Sequence, residues 1–134
     1  MLFGTFDILH QGHQNFFRQA RKHGDFLIAC VGRDLNVLGL KGKLPFFKER
    51  QRILNLKKTK WVDKVILGDK KDFLKPILHN KPQIICLGYD QKTSVKELQK
   101  KLQANKLTIQ IIRLKSFKPR QYKSSILLKK YVGH

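Results

Sequence analysis

Short continuous apolar runs alternate along the chain with segments whose apolar residues recur at helical spacing. The runs FLIACV at 26–31 and QIICL at 83–87 are typical of strands that helices cover on both faces of a parallel sheet. The remaining strands are predicted at residues 1–3, 64–67 and 108–114. The pattern therefore predicts a parallel five-stranded sheet.

Helices are predicted between these strands, at residues 14–22, 48–58, 73–79 and 124–131, and from Ser94 to about Asn105. Asp72 can cap one of them, and Ser94 with Glu97 fits a capping box at the start of another. The glycine-containing segment 32–45, by contrast, is predicted to be a polar loop. Strands that alternate with helices indicate an α/β class, in which right-handed crossovers place helices on both faces of the sheet. We expect a single Rossmann-like domain over residues 1–134.

Length and composition fit one intracellular domain. A chain of 134 residues with 41% hydrophobic residues is long enough for one core and too short for two ordinary domains. No run approaches the roughly 18 to 20 apolar residues of a membrane span, and the N-terminus lacks the layout of a signal peptide. We therefore expect a soluble, cytoplasmic protein with no membrane partner. Cys30 and Cys86 lie in apolar runs, which predicts buried thiols rather than a disulfide.

The net charge of +20 is large for a chain of this size and suggests an anionic partner. No acidic residue follows Glu97, so the last third of the chain is strongly basic. A nucleic-acid-binding module is therefore one hypothesis. The basic residues nevertheless alternate with apolar positions, as on the solvated faces of helices and strands, and an anionic substrate accounts for the charge equally well.

Residues 4–13, GTFDILHQGH, follow the first predicted strand at its carboxyl end, where open parallel sheets bind their ligands. Gly4 allows a close approach of the backbone to a ligand, and Thr5 offers a hydroxyl. Gly12 removes a side chain where the next helix begins, so its free N–H groups can face an anion. This arrangement predicts a phosphate site. Because only three residues precede Gly4, we also expect a short first strand and lower stability than with a longer one.

His10 and His13 can donate ring N–H bonds to phosphate oxygens and stabilise the charge that develops on a phosphoryl group. Asp7 is expected to fix the turn or to orient a neighbour, since a carboxylate repels phosphate. Two other interpretations remain open. The histidines could form a structural metal site, although no third ligand follows at useful spacing, or they could simply cap a helix.

GTFDILHQGH resembles the G-T-F-D-x-x-H-x-G-H signature of the nucleotidyltransferase superfamily, in particular its cytidylyltransferase-like members. The segment 61–92, WVDKVILGDKKDFLKPILHNKPQIICLGYDQK, is similar to the archaeal-type FAD synthases. The resemblance implies phosphate contacts from Thr5, His10 and His13. It also implies nucleotide-binding positions at Gly4, Phe6 and Gly12.

The resemblance assigns roles to residues farther along the chain. Lys41 matches a family lysine on the loop after the second strand, and Arg52 matches a phosphate-binding arginine, with Arg50 as the alternative. Further nucleotide-binding positions are implied at Gly88 and Asp90, which match a turn beside the base and ribose. Ser124 and Ser125 are implied to bind the nucleotide at the start of the last helix, and Arg120 is the substitute for a family arginine.

The implied reaction joins a nucleoside triphosphate to a phosphorylated acceptor and releases pyrophosphate, with a divalent ion (Mg or Co) carried by the nucleotide. The nearest resemblance implies ATP and FMN as substrates and FAD as product. Residues 119–130, PRQYKSSILLKK, lack the R-T-x-G-I of cytidylyltransferases. A CTP-dependent enzyme like glycerol-3-phosphate cytidylyltransferase and a sugar-phosphate adenylyltransferase are the alternatives. Relatives are often dimers, so a homodimer is expected.

Overall fold

The computed structural model of the protein describes residues 1–89, 91 and 93–116. In chain order its elements are β1 (Leu2–Gly4), α1 (Gln11–Arg21), β2 (Ile28–Val31), α2 (Asp34–Lys41), α3 (Glu49–Thr59), β3 (Lys64–Leu67), α4 (Leu74–Asn80), β4 (Ile84–Leu87), α5 (Val95–Ala104) and β5 (Gln110–Arg113). The predicted α/β class and the five strands are confirmed. The helix predicted at 124–131 lies outside the described residues.

All neighbouring strands are parallel, and their order across the sheet is β3-β2-β1-β4-β5. Leu2 in the central strand pairs with Ala29 of β2 on one side and with Cys86 of β4 on the other. The chain winds outward in one direction from β1 to β3 and in the other direction from β4 to β5. This reversal leaves a crevice above the carboxyl ends of β1 and β4, which is where such sheets bind ligands.

Helices cover both faces of the sheet and produce two apolar cores. Leu2 points into a core with Phe17 of α1 and Leu56 of α3. Its neighbour Phe3 points into the opposite core, with Ile77 of α4. Alternate residues of one strand thus serve opposite faces, as the continuous apolar runs predict. Cys30 and Cys86 are buried free thiols, as expected.

The prediction of a loop over residues 32–45 is wrong, because its middle part forms the helix α2. Only Val37 of this helix is buried, while Leu35 and Leu40 are largely exposed, so no apolar stripe marks it in the sequence. Its start is also stabilised from a distance. The N–H of Asp34 donates to a carboxylate oxygen of Glu49, 2.9 Å away, and Glu49 lies in the next helix.

Helix α1 begins at Gln11, three residues earlier than the predicted start at residue 14. The difference arises because His10, rather than an ordinary small polar residue, is the N-cap. This shift brings the whole of the His10–His13 segment into the cap and first turn of a helix. Within the described part of the chain, none of the helices is long and apolar enough to span a membrane.

Candidate nucleotide-binding site

Two histidines close the amino end of α1. The His10 ring accepts a hydrogen bond at Nδ1 from the backbone N–H of Gly12, at 3.0 Å. The His13 ring accepts one at Nδ1 from the backbone N–H of His10, at 3.3 Å. The ring centroids of the two histidines are 4.0 Å apart. They form a reciprocal capping box through their Nδ1 atoms. The two histidines therefore cap the helix, and their other ring nitrogens remain the ones that the phosphate interpretation concerns.

This capping fixes the chemical state of both rings. A nitrogen that accepts a backbone N–H bond carries no proton, so each neutral ring holds its proton on Nε2. Burial lowers the pKa of His10 to about 4. Burial, together with the nearby charges of His10 and Lys41, lowers the pKa of His13 to about 3. At neutral pH the pair therefore offers two uncharged Nε2–H donors beside the positive end of a helix.

Gly4 lies at the end of β1, where a side chain would collide with Phe6. A Cβ placed on Gly4 would lie 2.8 Å from Cζ of the Phe6 ring. Phe6 has a positive φ of 49° and is only 3% exposed, packed against Phe17 with 5.2 Å between ring centroids. The ring of Phe6 therefore belongs to the core, and any contact from this residue to a nucleotide has to come from its backbone.

Arg52 is buried in the structure, whereas an arginine that binds phosphate would have its guanidinium open to solvent. Its side chain is 0% exposed, and its guanidinium donates to the carbonyl oxygens of Phe47 (3.0 Å) and Thr5 (2.8 Å). It also forms an ion pair with Asp34 at 2.7 Å. Arg52 thus joins the segment after β1 to the starts of α2 and α3. Arg50, the alternative arginine, is exposed on the surface of α3.

The connection between α2 and α3 is tied to the segment after β1. The Asp7 carboxylate accepts hydrogen bonds from the backbone N–H groups of Phe46 (2.6 Å) and Phe47 (2.9 Å). Asp7 therefore orients a neighbouring segment, as expected, and the two residues that it binds lie 39 and 40 residues later in the chain. Lys41 ends α2 immediately before this connection, and its charge acts on His13. Lys41 therefore lies near enough to His13 for its charge to lower the pKa of that ring.

The other wall of the crevice follows β4. Since Leu2 pairs with Cys86, Gly4 and Gly88 lie at the same edge of the sheet, two positions beyond that pair. The Gln91 side chain joins them, because it accepts from the N–H of Gly88 at 2.8 Å and donates to the carbonyl of Phe3 at 2.5 Å. The other expected site residues lie outside the described part of the chain: Asp90, Arg120, Ser124 and Ser125.

Sequence reasoning missed several residues that shape the site. Asp34 and Glu49 cap each other's helices, and Arg113 binds the loop after β4 through backbone carbonyls. Asp34 and Glu49 are each the first residue of their helix, where the helix dipole favours an acidic side chain. Nothing in the sequence indicates that Arg113 reaches the preceding loop. Within residues 1–89, 91 and 93–116, no group of three or more His, Cys, Asp or Glu side chains could hold a metal ion.

Comparison with known proteins decides the family. A sequence profile of the cytidylyltransferase-like family matches residues 1–130, nearly the whole chain. The chain belongs to this family. Cytidylyltransferase-like proteins related to it include a protein named FAD synthase from Thermoplasma volcanium, 39% identical over 97% of this chain and 91% of the relative. Another of the same name, from Archaeoglobus profundus, is 45% identical over 91% of this chain and 77% of the relative.

A solved structure supports the same assignment of fold. The lipopolysaccharide core biosynthesis protein from Thermoplasma volcanium superimposes with a TM-score of 0.83 at 40% identity, over 87% of this chain and 95% of that one. The crevice between β1 and β4, with the two histidines that cap α1, therefore belongs to the fold of a cytidylyltransferase-like protein. The names of these relatives differ: the first two are called FAD synthase, and the solved structure is called a lipopolysaccharide core biosynthesis protein.

Proposed function

We propose that the protein is an FMN adenylyltransferase, which transfers AMP from ATP to FMN and releases FAD and pyrophosphate. The observation that carries this proposal is the pair of Nε2–H donors that His10 and His13 hold at the amino end of α1. Helix N-termini favour phosphate, and uncharged imidazole donors can strengthen their bonds as charge develops. The relatives named FAD synthase, 39% and 45% identical to this chain, support the choice of FMN as acceptor.

In the proposed reaction, an oxygen of the FMN phosphate attacks the α-phosphorus of ATP. A new phosphorus–oxygen bond forms while the bond to the oxygen that bridges to the β-phosphate breaks, and pyrophosphate leaves with that electron pair. The donors of His10 and His13 bind the triphosphate oxygens, and Lys41 adds a positive charge beside them. Such chemistry depends on positioning and on charge stabilisation, so no covalent intermediate with the protein is needed.

We propose that the remaining expected residues divide between contact and support. Gly4, Thr5 and Gly12 form the wall beside the phosphates, with Phe6 contributing its backbone, and Gly88 faces the nucleoside. Asp90, Ser124 and Ser125 stay predicted nucleotide contacts. Arg52 stabilises the backbone around the site rather than binding phosphate, because its buried guanidinium already donates to three protein acceptors. A divalent ion, Mg or Co, enters with the nucleotide as part of the substrate.

The test is to incubate the full chain with FMN and MgATP and to follow FAD and pyrophosphate together. We expect stoichiometric formation of both, abolished by a chelator and restored by excess Mg or Co. The variant His10→Asn/His13→Asn is the matched control, because asparagine can still cap the helix but offers no ring N–H. Turnover of CTP with glycerol 3-phosphate, or of ATP with a sugar phosphate, without any FAD would contradict the proposal.

Three further properties belong to the same proposal. We expect one domain over residues 1–134 and a cytoplasmic location, where nucleoside triphosphates are available. We also expect a homodimer, which light scattering on the purified chain would detect. Nucleic acid is not proposed as the main partner. Weak and steeply salt-dependent binding to random duplex DNA at about 150 mM salt would mark such binding as simple electrostatics.

A further inference from the structure

Arg113, at the end of β5, donates hydrogen bonds to three backbone carbonyls of the loop that follows β4. Its Nη1 donates to the carbonyl oxygens of Gly88 (2.9 Å) and Gln91 (2.7 Å), and its Nη2 donates to that of Thr93 (2.7 Å). A planar guanidinium holds its donors in a fixed fork and can fix three carbonyls in one arrangement, whereas the three donors of a lysine ammonium rotate on a flexible stem. The described segments of this loop are therefore shaped from the neighbouring strand.

The same loop is fastened to the central strand on its other side. Gln91 accepts a hydrogen bond from the N–H of Gly88 and donates one to the carbonyl of Phe3. The N–H of Gln91 in turn donates to the carbonyl of Gly88, at 3.2 Å. Arg113 and Gln91 together fix the described residues of this loop, Gly88, Gln91 and Thr93, at the point where the strand order reverses, which is the edge of the ligand crevice.

The two walls of the crevice have different chemistry. The wall after β1 carries the helix N-terminus and the two histidines, which suit phosphates. The wall after β4 carries Tyr89, which is partly exposed, beside a backbone whose carbonyls at Gly88, Gln91 and Thr93 bind Arg113. Backbone donors and acceptors with an aromatic ring suit the edge and the face of a nucleobase. With the phosphates at α1, the nucleoside therefore lies against the loop after β4.

We propose that Arg113 is a positioning residue that sets nucleotide specificity by fixing the shape of the loop after β4, with Gln91 as its partner. This inference rests on the proposed nucleotide-transfer function and adds to it a residue that touches no substrate. A loop held by three bonds presents one pattern of backbone groups to the base. A loosened loop presents several patterns, so discrimination between ATP and CTP falls although both nucleotides still bind.

The test compares Arg113→Lys with Arg21→Lys. Arg21 is a matched control because it also binds two carbonyls, those of Asp25 and Trp61, and one carboxylate, that of Asp63. These contacts lie at the opposite end of the sheet from the crevice, beside the start of β2. For Arg113→Lys we expect KM for ATP to rise about 10-fold, kcat to change less than about 3-fold, and the ratio of kcat/KM for ATP over CTP to fall about 10-fold. Arg21→Lys should keep that ratio.

Two measurements separate this inference from the proposed function. Affinities for MgATP and MgCTP, measured by calorimetry without acceptor, report the selectivity even if the wild-type protein makes no FAD. Hydrogen exchange of the peptide that covers residues 88–93 reports the loop directly and should become faster in Arg113→Lys. If the variant folds poorly, Gln91→Ala serves instead, with the same expected direction. Wild-type exchange together with wild-type selectivity in a folded variant overturns the inference, as does a wild-type protein that does not distinguish ATP from CTP.

Discussion

Replacing Arg52 by methionine tests whether this arginine supports the fold of the site or binds phosphate. The substitution keeps most of the side-chain length and removes the guanidinium. Two backbone carbonyls, those of Thr5 and Phe47, then lose their donor, and the carboxylate of Asp34 loses its ion-pair partner. An unpartnered buried group costs more than the lost bond was worth, because its desolvation is no longer compensated.

The expected loss of stability follows from burial. Breaking a buried ion pair by removing one partner costs about 3 to 5 kcal/mol. The Arg52 side chain is 0% exposed, but that of Asp34 is 25% exposed, and Asp34 also accepts a bond from the N–H of Glu49. Water can therefore reach the remaining carboxylate, and we take the lower end, about 3 kcal/mol. At about 4 °C per kcal/mol for a chain of this size, Tm should fall by about 12 °C.

Urea unfolding and thermal melting measure this loss, and Arg50→Met is the control. Arg50 lies on the same helix and is exposed, so its replacement should change the free energy of unfolding by less than about 0.5 kcal/mol. The double variant Arg52→Met/Asp34→Leu should recover part of the loss, because it leaves no charge without a partner. An Arg52→Met protein that unfolds like wild type but binds ATP much more weakly would refute the reasoning and restore the phosphate-ligand interpretation.

Three further predictions concern the segment after β1. His10→Asn should lower turnover about 10²- to 10³-fold with Tm within a few degrees of wild type, whereas His10→Ala should also lose about 1 kcal/mol of helix capping. Because the pKa values of His10 (about 4) and His13 (about 3) lie below that of an unfolded histidine, the unfolded state binds more protons between these values and about 6.5. The contribution of the two histidines to the free energy of unfolding should therefore be fully present above about pH 6.5 and be lost as the pH falls toward 3. Urea titrations at several pH values should show a flatter pH dependence in His10→Asn/His13→Asn. Gly4→Ala should cost about 1 to 3 kcal/mol by overpacking against the Phe6 ring, and Phe6→Leu in the same chain should restore part of that stability.

The sheet could be predicted from the sequence because its strands are short apolar runs bounded by polar residues and glycines. Helix α2 could not be predicted by the same rules. Its leucines at 35 and 40 are exposed, and the group that satisfies the first N–H of the helix belongs to Glu49, 15 residues later. A periodicity argument detects a buried stripe, and a capping argument detects a local partner. Helix α2 has neither a buried stripe nor a local capping side chain, and only the acidic residue in its first turn, Asp34, favours a helix start there.

The site was predicted in part, for a similar reason. The histidines and the glycines lie where their position after a strand or at a helix start indicates, whereas Lys41, expected on a loop, is the last residue of helix α2. The role of Arg52 depends on which way its side chain points, and no spacing in the sequence reveals that it turns inward. Asp63 and Asp69 belong to the segment that resembles FAD synthases, yet their carboxylates bind backbone N–H groups of Leu27, and of Lys71 and Asp72. Residues that identify a family thus also include residues that hold its backbone.

In the proposed phosphate site, the uncharged state of the two histidines would let a strongly basic protein remain selective for phosphate. Charged imidazoles beside Lys41 would attract any anion and repel one another at a ring separation of 4.0 Å. Backbone bonds to both Nδ1 atoms, together with burial, keep the rings neutral at physiological pH. Attraction of the substrate then comes from the helix end, from Lys41 and from the overall charge of +20, while the rings supply directed hydrogen bonds. Such bonds have their full strength only when phosphate oxygens reach the right positions, so in the proposed reaction we expect the histidines to discriminate by geometry and the rest of the molecule to supply long-range attraction.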